Sequence, residues 1–222
     1  GLIGVGRWGK NYLQTAARLA NRCQVTLLCT SRPENARLLP HTVEVTADWR
    51  EAVRSTGCDA VIIATPPSTH AQIVEACVAA RKPCLVEKPL CLDLSTATRL
   101  HELVSGSGVS VLVDHIHLFD PRYQALRQAL QDAGEPVRAL VSEGMGFGPF
   151  RPDTTALWDW GPHDVSLPWT CWGAASSRSP PWPGRTDRTG NRRWAPCAAR
   201  GRAGPWRGCR SGISHRSSGG RS

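Results

Sequence analysis

The sequence predicts an α/β fold: a parallel sheet with helices on both faces, then a truncated α+β segment, then a disordered basic tail. Three observations carry that prediction. Short apolar runs alternate with helical stretches from Gly1 to Val113. A glycine-rich turn, Gly4-Val5-Gly6-Arg7-Trp8-Gly9, joins the first strand to the first helix. The composition changes abruptly near Leu167.

Each element follows from its residues. Gly1 to Val5 reads as the end of a buried strand, and Asn11 to Ala20 as a helix whose Leu13, Ala16, Ala17 and Ala20 can face a sheet. The chain opens on Gly1-Leu2-Ile3 without an initiator Met, so a few residues of that strand are expected to be missing. Gln24 to Cys29 is a second strand, and Trp49 to Ser55 a short helix. Asp59 to Thr65 is the kind of continuous apolar run found in central parallel strands. Pro66 and Pro67 end it, and Ser68 or Thr69 can cap a helix running through Ala80. Pro83 to Val86 is a strand, Leu94 to Val104 a helix, and Val109 to Val113 a further strand. Arg122 to Ala133 reads as an amphipathic helix, and Val137 to Glu143 as a strand.

The glycine turn has the spacing of a Rossmann-type dinucleotide site. Gly4 permits the tight turn, Gly6 lets the backbone approach a pyrophosphate, and Gly9 allows close packing of helix on strand. Arg7 and Trp8 lie inside the turn, and the helix start offers free N–H groups to phosphates. Where an NAD site usually carries an acid, the second strand ends in Cys29-Thr30-Ser31-Arg32. Ser31 can donate to a 2′-phosphate and Arg32 can pair with it, which favours NADP over NAD; the alternative is that Arg32 is a solvated residue at the next helix.

Ligands of such sheets bind beyond the C-terminal strand ends, where Thr65, Pro66, His70, Glu87 and Lys88 fall. Lys88, in Glu87-Lys88-Pro89, can hold a developing alkoxide or a sugar hydroxyl, or can be a solvated lysine before a loop proline. A second cluster is Trp158-Asp159-Trp160-Gly161-Pro162-His163-Asp164. Pro162 can open a helix there. If the helical turn reaches back to Asp159, Asp159 and His163 share a side, so an imidazole that exchanges a hydroxyl proton would have a carboxylate to orient it. The competing reading is a structural histidine packed among Trp158, Trp160 and Trp169. His115 and His117 alternate on one strand face and can line a substrate cleft, but two ligands make a poor metal site, and no metal is expected.

Several of these pieces occur together in one known family. Gly4-x-Gly6-x-x-Gly9 with Trp8, Thr65-Pro66-Pro67-x-x-His70, Glu87-Lys88-Pro89, Phe119-x-Pro121-x-Tyr123 and Asp159-x-Gly161-x-His163-Asp164 give residues 1 to about 167 a resemblance to the Gfo/Idh/MocA oxidoreductases. The resemblance implies a Rossmann domain over 1–115 and the beginning of a substrate and oligomerisation domain over 116–167. It implies hydride transfer between NADP or NAD and a hydroxyl-bearing carbon of a sugar, inositol, nucleotide sugar or related compound. Lys88 would match the lysine near the nicotinamide and the reacting oxygen, Asp159 and His163 the family's aspartate and proton-exchanging histidine, and Pro66 and His70 the loop beside the cofactor. An intact parent would form homo-oligomers.

The resemblance stops near Leu167, and 168–222 is expected to be disordered or out of frame. Those residues hold 11 Arg, no Lys and one acid, Asp187, with Ile213 as their one large aliphatic side chain, so they lack the stripe a packed element needs. They resemble a GC-rich gene translated in a shifted frame. The formal charge of +9 belongs to this tail, because the first 167 residues carry 16 bases and 17 acids. Specific nucleic-acid binding is therefore not expected. The nine cysteines show no zinc spacing, and no membrane span or signal peptide is visible, which fits a reducing, cytoplasmic setting. With most of a second domain missing, little or no turnover is expected of the chain as written, and cofactor binding without catalysis is the alternative function.

Overall fold

The computed structural model describes residues 1–32, 34–35, 43–134, 137, 139–143 and 154–175, with backbone alone at 172–175. Six strands form one parallel sheet: β1 (Leu2–Ile3), β2 (Leu27–Cys29), β3 (Glu44–Thr46), β4 (Val61–Ile63), β5 (Cys84–Glu87) and β6 (Val111–Asp114). Their order is β3-β2-β1-β4-β5-β6, so the winding reverses between β1 and β4. Open α/β sheets bind ligands at such a reversal. The helices are α1 (Arg7–Arg18), α2 (Trp49–Arg54), α3 (Pro67–Ala79), α4 (Leu94–Ser107), α5 (Pro121–Ala133) and α6 (Ala156–Ala175), with a 3₁₀ turn at Ile116–Phe119.

The described residues fall into two compact units. One holds the described residues within Gly1–His115 and Phe150–Pro162, the other those within Ile116–Pro149 and His163–Ser222. In the first unit, alternate strand residues feed two separate cores. Ile3, Leu27, Val61, Ile63 and Val86 pack with Ala52 and Val53 of α2, Ile73, Val74 and Cys77 of α3, and Leu100 of α4. Leu2 and Leu28 face the other way and pack with Val5 and with Leu13 of α1. Helices therefore cover both faces, as the alternating pattern required. The second cover is narrower: Leu112 on β6 is 56% exposed.

Caps set the helix ends. Asp48, Asp93 and Asp120 each accept a bond from a backbone N–H in the first turn of α2, α4 and α5. Gly108 and Gly134 close α4 and α5 with φ of 69° and 65°. Helix α3 differs from the sequence expectation. It begins at Pro67 and has no side-chain cap. A proline at the first helical position has its φ preset and no N–H to satisfy. Thr69 is then already inside the helix, and its hydroxyl donates to the Pro66 carbonyl at 2.8 Å.

Other expectations are corrected too. Strand β3 carries no sequence signature, because Glu-Val-Thr at a sheet edge has no apolar run; its Val45 is 44% exposed. The described residues of Val137–Glu143 form no strand. A strand needs a neighbour for its ladder, and none stands there among the described residues. Strand β6 ends at Asp114, and His117 lies in the 3₁₀ turn, so His115 and His117 do not share a strand face. Helix α6 starts at Ala156, not at Pro162, since the Asp159 N–H bonded to the Thr155 carbonyl at 3.0 Å already closes its first turn. It continues to Ala175, which makes residues 168–175 helical, and Cys171 is buried. The remainder of the basic tail lies outside the described residues.

Candidate active site

The glycine turn is built by close backbone approach. Gly4 has φ of 96°, and a Cβ there would stand 2.7 Å from the Ala64 carbonyl oxygen. A Cβ on Gly9 would stand 2.1 Å from the Gly4 carbonyl oxygen. Both positions exclude a side chain, and together they bring the β1–α1 turn against the end of β4. Gly6 is different, because a Cβ there would meet nothing within 4 Å. Gly6 is also the N-cap of α1, with no side-chain cap and no acid in the first turn. The first N–H groups of α1 therefore border open space, which is what a pyrophosphate requires. Arg7 and Trp8 are exposed on this first turn.

At the end of β2, Thr30 is buried, and its hydroxyl oxygen accepts from the Arg32 N–H at 3.1 Å and from Asn35 Nδ2 at 3.2 Å. This fold of the loop leaves Ser31 and Arg32 exposed. Asp48, the acid that follows β3, is committed to capping α2.

The Thr65 and Lys88 loops are tied together by His70. The ring is fully buried, with Nδ1 2.8 Å from the Pro89 carbonyl oxygen and Nε2 2.9 Å from the Thr65 carbonyl oxygen. The Thr69 hydroxyl, which donates to the Pro66 carbonyl, lies 2.7 Å from the Thr65 hydroxyl and can accept its proton, and Pro66 is exposed beside it. Lys88 extends from the end of β5. Its Nζ donates to Asp159 Oδ1 at 2.9 Å and to the Asp159 carbonyl oxygen at 2.7 Å. The Lys88 side chain is 9% exposed and that of Asp159 is 29% exposed. The two residues lie 71 positions apart in sequence, so this pair is a tertiary feature.

Behind Lys88, the sequence-predicted Glu87 joins two residues the sequence does not mark as functional, Tyr12 and Asp114. Glu87 and Asp114 end adjacent strands in register. The Tyr12 hydroxyl, from α1, lies 2.8 Å from Glu87 Oε1 and bonds Asp114 Oδ2 as well. Burial pushes the Glu87 carboxyl above its ordinary range; the Tyr12 bond and Lys88 oppose the shift, and Asp114 reinforces it. Burial, then the bond to Asp114, pushes the Tyr12 phenol up. The available signal was two acids closing neighbouring strands, since like charges side by side need a shared donor. Just beyond β6, His115 is shifted down by burial, and its Nδ1 is buried without a hydrogen-bond partner among the described residues.

His163 belongs to the second unit. Its ring meets that of His117 edge-on, with centroids 4.3 Å apart. Along α6 it follows Asp159 by four residues. The adjacent Asp164 accepts from the Ser142 hydroxyl at 3.1 Å. Tyr123, of the expected Phe119-x-Pro121-x-Tyr123 segment, donates to the Leu167 carbonyl at 2.7 Å, and burial pushes its phenol up to about 12. Among the described residues, no group of three or more His, Cys, Asp or Glu is placed to hold a metal ion. No helix among them is long and apolar enough to cross a membrane.

Known proteins resemble this chain in sequence and in fold. The chain is 30% identical over 205 residues to inositol 2-dehydrogenase 2 of Paenarthrobacter aurescens, covering 84% of this chain and 62% of that one. It is 32% identical over 155 residues to inositol 2-dehydrogenase 1 of Mycolicibacterium vanbaalenii, covering 68% and 45%. Among solved structures, a provisionally assigned oxidoreductase from Magnetospirillum magnetotacticum superposes with a TM-score of 0.68 and 46% identity, over 75% of this chain and 54% of that one. Scyllo-inositol dehydrogenase from Lactobacillus casei, with bound NAD(H) and scyllo-inositol, superposes with a TM-score of 0.55 and 25% identity, over 60% and 40%. The chain thus spans 40% to 62% of the length of these relatives. The family described as oxidoreductase, NAD-binding Rossmann fold, GFO_IDH_MocA, matches residues 1–115, and it is to this family that the chain belongs.

Proposed function

We propose that the chain carries the dinucleotide site and part of the catalytic apparatus of a dehydrogenase acting on an inositol or a sugar-like polyol. The observation that carries the reading is the open space at Gly6, beside uncapped helix N–H groups and between two glycines that admit no side chain. Gly4, Gly6 and Gly9 shape the turn, and the first N–H groups of α1, with Arg7 and Trp8 around them, take the phosphates. Thr30 holds the loop that presents Ser31 and Arg32. No acid stands at the end of β2 to receive a ribose hydroxyl, so the proposal favours NADP over NAD.

A bound nicotinamide would supply hydride acceptor or donor chemistry. The remaining work falls to this chain. Lys88 holds negative charge on the substrate oxygen, and Asp159 orients the lysine. His163 exchanges the hydroxyl proton. His70, Thr65 and Pro66 act through the loops, because the His70 ring is closed off from solvent. Substrates named for the relatives, myo- and scyllo-inositol among them, define the first compounds to try.

A second reading, dinucleotide binding without turnover, is favoured by one observation: Lys88 Nζ already bonds two oxygens of Asp159. Titration with NADPH and NADH, followed by fluorescence, tests the shared part. A turnover screen over inositols and sugars separates the two readings. Saturable binding with turnover supports the dehydrogenase, binding alone supports the second reading, and no binding of either cofactor overturns both.

A further inference from the structure

Three groups meet where α1 passes the ends of β5 and β6: the Tyr12 hydroxyl and the carboxylates of Glu87 and Asp114. A phenol carries one proton and can donate to one carboxylate at a time. Were both acids ionised, the second contact would bring a carboxylate oxygen against the lone pairs of the phenol oxygen. A second negative charge would also sit within the same partly buried group. The arrangement becomes consistent when one of the acids keeps its proton.

We propose that Glu87 is a proton-holding positioning residue: its carboxyl group donates to the Tyr12 oxygen, the Tyr12 hydroxyl donates to Asp114, and this chain of hydrogen bonds fastens α1 to the loop that carries Lys88. Glu87 is the better holder of the proton because it is buried, whereas Asp114 is partly open to solvent. The facing groups are Tyr12 on α1, Asp114 on β6 and Lys88 beyond β5. Of these, a bond donated by Tyr12 and the charge and backbone N–H of Lys88 favour the ionised acid, but the Tyr12 proton is taken by Asp114 in this arrangement and Lys88 Nζ is bonded to Asp159. Burial of Glu87 and the charge of Asp114 both act to retain the proton.

The consequence rests on the dinucleotide reading. Helix α1 begins at the phosphate turn and Lys88 stands at the reacting end, so the Glu87–Tyr12–Asp114 chain sets one end relative to the other. Losing the proton places two like charges beside one hydroxyl and loosens that setting. Affinity for the dinucleotide should then fall as pH rises through the titration of Glu87. Stability should fall in the same direction. The native state holds a proton that the unfolded chain has released, and this advantage disappears as pH rises through the native value.

The test has two independent arms. In the first, infrared difference spectra of wild type against Glu87→Gln at neutral pH should show a protonated carboxyl stretch that the variant lacks, shifted in Tyr12→Phe. If no such band exists, Glu87 is ionised and the proposal is overturned. In the second, NADPH titrations from mildly acidic to alkaline pH should show affinity falling about tenfold in wild type. Glu87→Gln, whose amide still donates to Tyr12, should remain tight and insensitive to pH, while Glu87→Ala should be weak throughout. A merely structural glutamate would give the same pH profile in wild type and the Gln variant, and that result overturns the positioning role. A band without any NADPH binding upholds the proton chain and sinks the dinucleotide reading instead.

Discussion

The two ends of the candidate site are built on opposite physical plans. The phosphate end consists of backbone: Gly4 and Gly9 are there because a single added carbon would collide with main-chain oxygens. The reacting end consists of partly buried charge: Lys88 against Asp159, and Glu87 and Asp114 sharing Tyr12. A steric site fails all at once when an atom is added. An electrostatic site degrades by degrees, because each charge can shift its proton or find another partner. The two ends are therefore open to separate damage, and substitutions can distinguish them.

The largest effect is expected at the phosphate end. Gly9→Ala places Cβ 2.1 Å from the Gly4 carbonyl oxygen, and the obstruction is backbone that cannot rotate away. A loss of about 3 kcal/mol or more should follow, or failure to fold, read by urea denaturation. Wild-type stability in this variant would mean that α1 can move off β1, and the steric account would be wrong.

Gly6→Ala makes the sharper contrast. Its φ of −75° suits alanine, and the added carbon meets nothing within 4 Å, so the fold should be unaffected to within about 0.5 kcal/mol. The methyl group would nevertheless occupy the space assigned to the pyrophosphate. NADPH should bind about a hundredfold less tightly, which is about 2.7 kcal/mol. Unchanged affinity would place the phosphates elsewhere. At the opposite end, Asp159→Ala removes one of two acceptors from a lysine that is 9% exposed, while the main-chain acceptor remains. A stability loss of about 2 kcal/mol is expected by denaturation, with NADPH affinity changed far less than by Gly6→Ala. A large affinity loss here would show that the two ends are not separable.

The same contrast explains how much could be read from the sequence. The steric end is legible because it leaves glycines at fixed spacing after an apolar run, and five of the six strands of the parallel sheet around it follow from that run and its repeats. Strand ends and caps were less legible. The first turn of α3 was fixed by Pro67, not by a hydroxyl cap, and β3 carries no apolar signature. The Lys88–Asp159 contact could not be read, because 71 residues separate the partners and neither spacing nor period records a tertiary ion pair. Tyr12 was hidden for a related reason. It sits on the α1 helix beside Leu13 and packs against the apolar core, so it reads as an ordinary core aromatic, and its role appears only when β5 and β6 are set in register with Glu87 opposite Asp114.

The smallest expected effect tests the choice of cofactor. Arg32 is exposed at the end of β2, where a guanidinium can pair with a 2′-phosphate but has nothing comparable to meet on NADH. Solvent screens such a contact, so Arg32→Ala should weaken NADPH about fivefold, about 1 kcal/mol, and leave NADH nearly unchanged. Stability should not move, because the loop is held by Thr30 and not by the arginine side chain. Parallel titrations of the two cofactors read the ratio directly. Equal loss for both would reduce Arg32 to a general attraction for anions. No loss for either would remove it from the site and leave the phosphate turn without any preference between the cofactors.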